Sequence, residues 1–392
     1  MKTLTGLLVC IVVLLAGRPP LRAQEPATGH PSVQSVAQVL NRLGHPGSPT
    51  GMSPTQYKEA YGFNRIPNQG QGQTIAIVNP DDDPDIESDL GFYASYFHLA
   101  PCNLQKVKVG NPAVNQGSAL GASVGVEQIC ALAPQANIIL VEANSDTLSD
   151  MLQAVAVASS SPHNATVVAV IYATEEFAGE QQFDSYFCGV HNGDNQAVTF
   201  LAPSTGCSLG VYPAASPCVL AVGGTTLALS TPLPLPNPLA SDYGRESVWN
   251  GGLVSRYEPQ PTWQNQACSP YSSTNRCTPD IVANASLNTG VAVYDTYQGG
   301  WVEVGGTSIS TSDWAALITI VNSVRASQGH STLSEAASDL YAIYNSSEYG
   351  NDFHDITSSG NGCVAGDGYD LGSGIGSYQT NNLYSTLSAK PN

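Results

Sequence analysis

The chain has 392 residues, 42% of them apolar, enough to bury a sizeable core in one large domain or two ordinary ones. Its 31 Asp and Glu outnumber 13 Lys and Arg, and the formal net charge of -18 argues against a nucleic-acid groove or an anionic membrane surface as partner. Only 11% of residues are charged, a balance that suits an acidic exterior and equally an ordinary secreted protein.

Met1-Lys2 leads into an apolar stretch over residues 4–16, broken by Arg18-Pro19-Pro20, with Ala23 as a small residue for cleavage. The stretch is too short to span a bilayer comfortably, so residues 1–23 read as a signal peptide and the protein as secreted and extracellular. Residues 24–52, rich in Pro, Gly, Ser and Gln, read as a leader or flexible arm before a domain at 53–392. With Cys10 removed, eight cysteines remain, and an even count in an exported chain favours disulfides. Cys268 and Cys277, flanking a polar loop, are the one pair the sequence suggests; the other six stay open.

From Thr74 short apolar runs alternate with amphipathic stretches. Thr74-Ile75-Ala76-Ile77-Val78 reads as a buried strand, Asp81-Asp82-Asp83 as a solvated turn or helix start, and the residues through Leu90 to Phe97 as a helix. A helix over about 118–132 precedes a strand at Asn137-Ile138-Ile139-Leu140-Val141. Residues 167–171, 198–202 and 219–222 are further strand candidates. Strands alternating with helices predict an α/β fold with a doubly wound, mostly parallel sheet. A long helix is expected at 308–324.

That helix opens on Gly305-Gly306-Thr307-Ser308-Ile309-Ser310-Thr311. A serine at a helix start behind two glycines has free backbone approach and the positive end of a helix dipole, which suits a nucleophile. A helix cap accounts for the same residue types.

Other segments decide the context: Gly70-Gln71-Gly72-Gln73-Thr74 and the strand after it; Ala133-Pro134-Gln135-Ala136-Asn137 with the strand after it; Tyr212-Pro213-Ala214-Ala215-Ser216-Pro217; and Leu220-Ala221-Val222-Gly223-Gly224-Thr225-Thr226. In this order, over about 53–386, they resemble the sedolisin family of serine-carboxyl peptidases. The resemblance implies a subtilisin-like α/β catalytic domain, Ser308 as nucleophile, a polypeptide substrate or ligand, and a monomer.

The departures concern catalysis. Sedolisins carry Glu-x-x-x-Asp on one helix as general base and its orienting acid; counting back from Ala133-Pro134 places those positions at Gly121 and Gly125. Glu127 lies two residues further on and faces another side of the helix. The family's oxyanion aspartate, in Ser-Gly-Asp-Ser-Gly, falls at Gly206 of Ser204-Thr205-Gly206-Cys207-Ser208, and Ile171-Tyr172-Ala173 replaces the usual Ser-aromatic-Gly beside the substrate. An unactivated serine is a poor nucleophile. Only about thirty residues separate the expected signal cleavage from the domain, so the family's propeptide is also expected to be missing. Alanine in place of either interior helix glycine is expected to stabilise by about 0.5–1 kcal/mol if space allows.

At the C-terminal end, Phe353-His354-Asp355-Ile356-Thr357 and Ala365-Gly366-Asp367-Gly368-Tyr369-Asp370 match the family's calcium segments. The resemblance implies ligands Asp355, Asp370 and the carbonyls of Ile356, Gly366 and Gly368, hard oxygens of the kind calcium takes. The residues therefore point to a peptidase homologue that is catalytically impaired and keeps polypeptide binding. The alternatives are an active serine-type acid endopeptidase and a calcium-stabilised extracellular structural protein.

Overall fold

The computed structural model describes residues 40–43, 47–230, 242–333 and 335–391, so the expected signal peptide at 1–23 and most of the expected arm lie outside the described residues. Within the arm's span, Leu40–Leu43 forms a strand and Met52 is buried, its N–H donating to the Gly290 carbonyl. Helix α1 (Pro54–Tyr61) follows, then β1 (Thr74–Pro80), α2 (Ile86–Tyr96), β2 (Asn103–Lys108), α3 (Gln116–Leu132), β3 (Asn137–Ala143), α4 (Leu148–Ser159) and β4 (Val167–Val170). The chain continues through β5 (Thr199–Pro203), β6 (Val219–Leu229), β7 (Tyr243–Asn250), β8 (Ile281–Asn284), β9 (Val291–Asp295) and β10 (Gly300–Gly305). It ends with α5 (Thr307–Ser327), α6 (Ala336–Tyr344) and α7 (Thr380–Ser388).

The central sheet runs β7-β6-β5-β4-β1-β3-β2, with β8 also beside β6; every pair is parallel except β6 with β7. This is the expected doubly wound α/β arrangement. Its apolar strands are buried on both faces, and the pleat sorts their side chains by parity. Ile75, Ile77, Ile138, Leu140, Val167 and Ala169 join the core shared with α3 and α5. Ala76, Val78, Ile139, Val141, Val168 and Val170 join the core under α4.

Side-chain caps fix where the helices start. Asn115 accepts from the Gly117 and Ser118 N–H groups ahead of α3, Thr147 accepts from Asp150 ahead of α4, and Ser53 with Gln56 forms a reciprocal capping box on α1. Helix α3 is buried continuously from Ala119 to Leu132, packed against β1, α2, β9 and α5. The Asp81-Asp82-Asp83 turn departs from expectation. Asp82 and Asp83 are buried because Lys106 and Lys108, brought alongside by β2, reach Asp82 at 2.6 and 2.7 Å, and the Asp83 N–H donates to Glu142.

Four disulfides form: Cys268–Cys277 as expected, and Cys102–Cys130, Cys188–Cys218 and Cys207–Cys363. Among the described residues no helix is long and apolar enough to cross a membrane.

The sheet's second half is pinned by a buried ion pair. Asp280 accepts from the Arg276 guanidinium at 2.8 Å, from the Tyr341 hydroxyl of α6 at 2.8 Å and from the Ala221 N–H of β6 at 2.8 Å. Removing one partner of such a pair leaves an uncompensated charge, a cost of about 3–5 kcal/mol. Asp280→Ala should destabilise by that order in a denaturant titration; a loss below about 1 kcal/mol would show that Arg276 finds water instead.

Candidate active site

Ser308 lies in the first turn of α5. The chain reaches it through Gly306, whose N–H donates to the Ala285 carbonyl and whose φ of +141° is open to glycine and strained for other residues. Two neighbouring hydroxyls are satisfied, Ser310 donating to the Gly223 carbonyl at 2.8 Å and Thr311 to the Thr307 carbonyl at 2.7 Å, while that of Ser312 is buried without a partner. The Ser308 side chain is likewise buried, with 1% of the residue exposed, and its hydroxyl has no hydrogen-bond partner. No carboxylate or imidazole among the described residues is within hydrogen-bond reach of it.

Gly121 and Gly125 sit on the face of α3 that meets β1. A Cβ at Gly121 would stand 3.0 Å from the Asn79 Oδ1, and one at Gly125 would stand 3.2 Å from the Ile77 Cγ2. Asn79 is itself held, its amide donating to the Pro80 and Ser118 carbonyls at 2.9 Å each. A side chain at either position would therefore start in tight contact with the Asn79 or Ile77 side chain of β1. Gly206 has a left-handed φ of +73°, donates its N–H to the Asn250 side chain, and adjoins the Cys207–Cys363 disulfide. Ile171, Tyr172 and Ala173, where the family's substrate strand is expected, are all buried.

Acids do gather on α3, but on another face. Glu127 accepts from the Tyr294 N–H of β9 at 3.0 Å, while its second oxygen is buried without a partner. Burial, with Asp89, Asp295 and Asp83 adding like charge, pushes Glu127 well above the usual carboxylate range. Burial likewise raises Asp83 and Asp295 to about 6. Sequence reading missed this cluster, because Asp83, Asp89, Glu127 and Asp295 come from separate elements and no spacing signals it.

The C-terminal loop brings its five residues together. Asp355 accepts from the Gly368 N–H at 2.9 Å. Asp370 accepts from the N–H groups of Gly366 at 2.9 Å, Gly372 at 2.8 Å and Ser373 at 2.7 Å, and the Ser373 hydroxyl also reaches the Ile356 carbonyl at 3.3 Å. Burial raises both carboxyls, and these N–H donors oppose it. The oxygens are those a hard cation takes. Among the described residues no group of three or more acidic, His or Cys side chains forms a metal cage, so a cation here would depend on the carbonyls.

No family model matches the chain. It is 31% identical over 344 residues to kumamolisin from Bacillus sp. (strain MN-32), covering 78% of this chain and 56% of that protein. It is 31% identical over 175 residues to sedolisin from Pseudomonas sp. (strain 101), covering 42% of this chain and 27% of that protein. The solved structure of Pseudomonas sedolisin with two molecules of pseudo-iodotyrostatin superimposes with a TM-score of 0.73 at 25% identity, over 88% of this chain and all of that one. The chain belongs to the sedolisin family. It spans about half the length of kumamolisin, 56%, and less of sedolisin. Within this sedolisin fold, α3 and α5 carry the positions singled out by sequence as Gly121, Gly125 and Ser308.

The glycine expectation turns on whether Asn79 and Ile77 can give way. The helix-propensity gain of about 0.5–1 kcal/mol per alanine competes with overpacking against Asn79 and Ile77, at about 1–3 kcal/mol. Because both neighbours are buried and held, Gly121→Ala with Gly125→Ala should melt below wild type. A higher melting temperature would mean that β1 yields and the pocket can be reopened.

Proposed function

We propose that this is a secreted sedolisin-family serine peptidase homologue whose catalytic centre is impaired. Homology makes the function peptidase-related and polypeptide the natural class of substrate or ligand. The observation that carries the impairment is the Ser308 hydroxyl, buried and without any base or donor in reach. General-base assistance is worth about 10²–10⁴ in rate, and a lost oxyanion donor costs a further 10²–10³ or so. Gly121, Gly125 and Gly206 supply neither group. The organisation that goes with this reading is a signal peptide at 1–23, an arm at 24–52 and a peptidase-like domain from 53 to 392. Four disulfides fit export.

The purified protein should leave denatured protein uncut at every pH from about 3 to 7, where carboxyl groups pass from neutral to charged. Cleavage that disappears in Ser308→Ala would instead establish an active acid endopeptidase. Retained polypeptide binding would be read separately, as saturable peptide binding by Ser308→Ala.

The same reading gives the C-terminal loop a structural calcium ion, held by Asp355, Asp370 and the carbonyls of Ile356, Gly366 and Gly368. Bound, it would supply positive charge to the buried Asp370 carboxylate and the exposed Asp355 carboxylate. An ion that binds only the folded state stabilises by about 2.7 kcal/mol at a hundredfold excess over Kd. A chelator should lower the melting temperature near neutral pH and added calcium restore it. Asp370→Ala should lose most of that response, and acid should weaken it by protonating both ligands. Unchanged melting on chelation would leave these residues as a hydrogen-bonded turn.

A further inference from the structure

Beside residues 171–173, among the described residues, four carboxyl groups meet without a cation. Glu176 follows the two-residue strand Thr174–Glu175, which pairs with Val211–Tyr212. Glu180 and Asp184 lie one turn apart in the 3-10 segment Glu180–Tyr186, and Glu258 projects from the strand Val254–Pro259. Glu180 and Glu258 are fully buried, the strand Val254–Pro259 packs on the 3-10 segment, and Glu176 lies near enough to Glu180, and Asp184 to Glu258, to raise both buried carboxyls.

The donors are unevenly shared. Glu176 accepts from the Ser255 hydroxyl and the Arg256 N–H, Glu180 from the Phe177 N–H at 2.7 Å through one oxygen, and Asp184 from the Tyr212 hydroxyl at 3.3 Å. One Glu180 oxygen and both Glu258 oxygens receive nothing from any N–H or hydroxyl. A carboxylate is purely an acceptor, so two in contact with no other donor can bond only if one carries a proton. Glu175 is exposed, as is the Arg256 side chain, and Tyr212 is the titratable group of its strand facing the cluster. Helix α4, packed on the 3-10 segment, carries Asp150 as its one charged residue, and that is bonded to Ser145. Among the described residues no Lys, Arg or His pairs with any of the four.

We propose that Glu176, Glu180, Asp184 and Glu258 form a proton-held latch, closed in acid, that joins the 3-10 segment to the Val254–Pro259 strand and releases it as pH rises. Each contact is an acid–carboxylate pair sharing one proton. Losing both protons leaves four like charges with too few donors, so Glu258 withdraws from Asp184. The Cys188–Cys218 disulfide keeps the opening local. Through the pairing of Thr174–Glu175 with Val211–Tyr212, release loosens the segment that buries residues 171–173. The device does not depend on whether Ser308 is active.

Burial first, and like charge second, hold Glu180 and Glu258 above the ordinary carboxyl range. A carboxyl raised in the folded state contributes stability that is complete below its unfolded value and is lost as pH climbs toward the folded one. Glutamine at 258 supplies a permanent N–H donor and cannot ionise. Glu258→Gln should therefore melt like wild type near pH 4.5, about the ordinary glutamate value, and at least about 2 °C higher than wild type near pH 9. Glu180→Gln should behave the same way. Hydrogen exchange in wild type, corrected for its intrinsic pH dependence, should rise over 176–186 and 254–259 between the two pH values and stay flat in Glu258→Gln. Equal melting differences at both pH values, or unchanged wild-type exchange, would overturn the latch. So would calcium restoring wild type near pH 9 but not Glu258→Gln, since the cluster would then be a cation site.

Discussion

Helix α3 can lie as close to β1 as it does because the two residues facing the strand have no side chains. Gly121 and Gly125 let the helix backbone settle onto Asn79 and Ile77, and the rest of the site follows from that approach. With α3 pressed inward, α5 packs against it and Ser308 is carried into the interior. A buried hydroxyl without a partner costs about 1–3 kcal/mol, a cost the surrounding packing must offset.

A chain with 13 basic residues has few cations with which to neutralise buried acids. Arg276 and Lys106 do so. Elsewhere neutral donors take over. Glu246 accepts from the hydroxyls of Tyr61, Tyr243, Thr225 and Ser377, and Asp313 from Tyr57 and Gln128. Burial raises Asp313 to about 7 despite these donors. Such sites tolerate a proton far better than an ion pair does, because protonation adds a donor without stranding an opposite charge. Acid therefore removes little from this interior, while alkali creates unpaired negative charge within it.

Strand positions were legible because strands buried on both faces leave continuous apolar runs, and the glycine-led helix start placed α5 within a few residues. Two features were not. Strand β6 continues to Leu229, well past the expected 222, because β7 returns antiparallel and pairs with its polar end. The burial of Asp82 and Asp83 needs Lys106 and Lys108, which come alongside only through the parallel register of β2 with β3 and β3 with β1. The disulfides divide in the same way. Cys268–Cys277 closes over 9 residues, whereas Cys207–Cys363 spans 156 and exists only in the folded chain. Carboxyl clusters divide too: Glu176, Glu180 and Asp184 are spaced four apart in the sequence, whereas Glu258, and the group of Asp83, Asp89, Glu127 and Asp295, are brought in only by the fold.

The Cys207–Cys363 bond also ties the C-terminal loop to the edge of the sheet. It joins the turn containing Gly206 to the loop that runs on to Asp370. A Cβ at Gly251 would meet both the Cys207 sulfur at 2.8 Å and the Leu371 carbonyl at 2.6 Å, so the two loops touch through a backbone with no side chain between them. Any displacement of the loop is thus transmitted to the turn, and through Asn250 to the edge strand β7. Asp370, by gathering three backbone N–H groups, fixes that loop even before a cation is considered. The loop therefore holds the sheet edge in place, a mechanical role independent of any chemistry at Ser308.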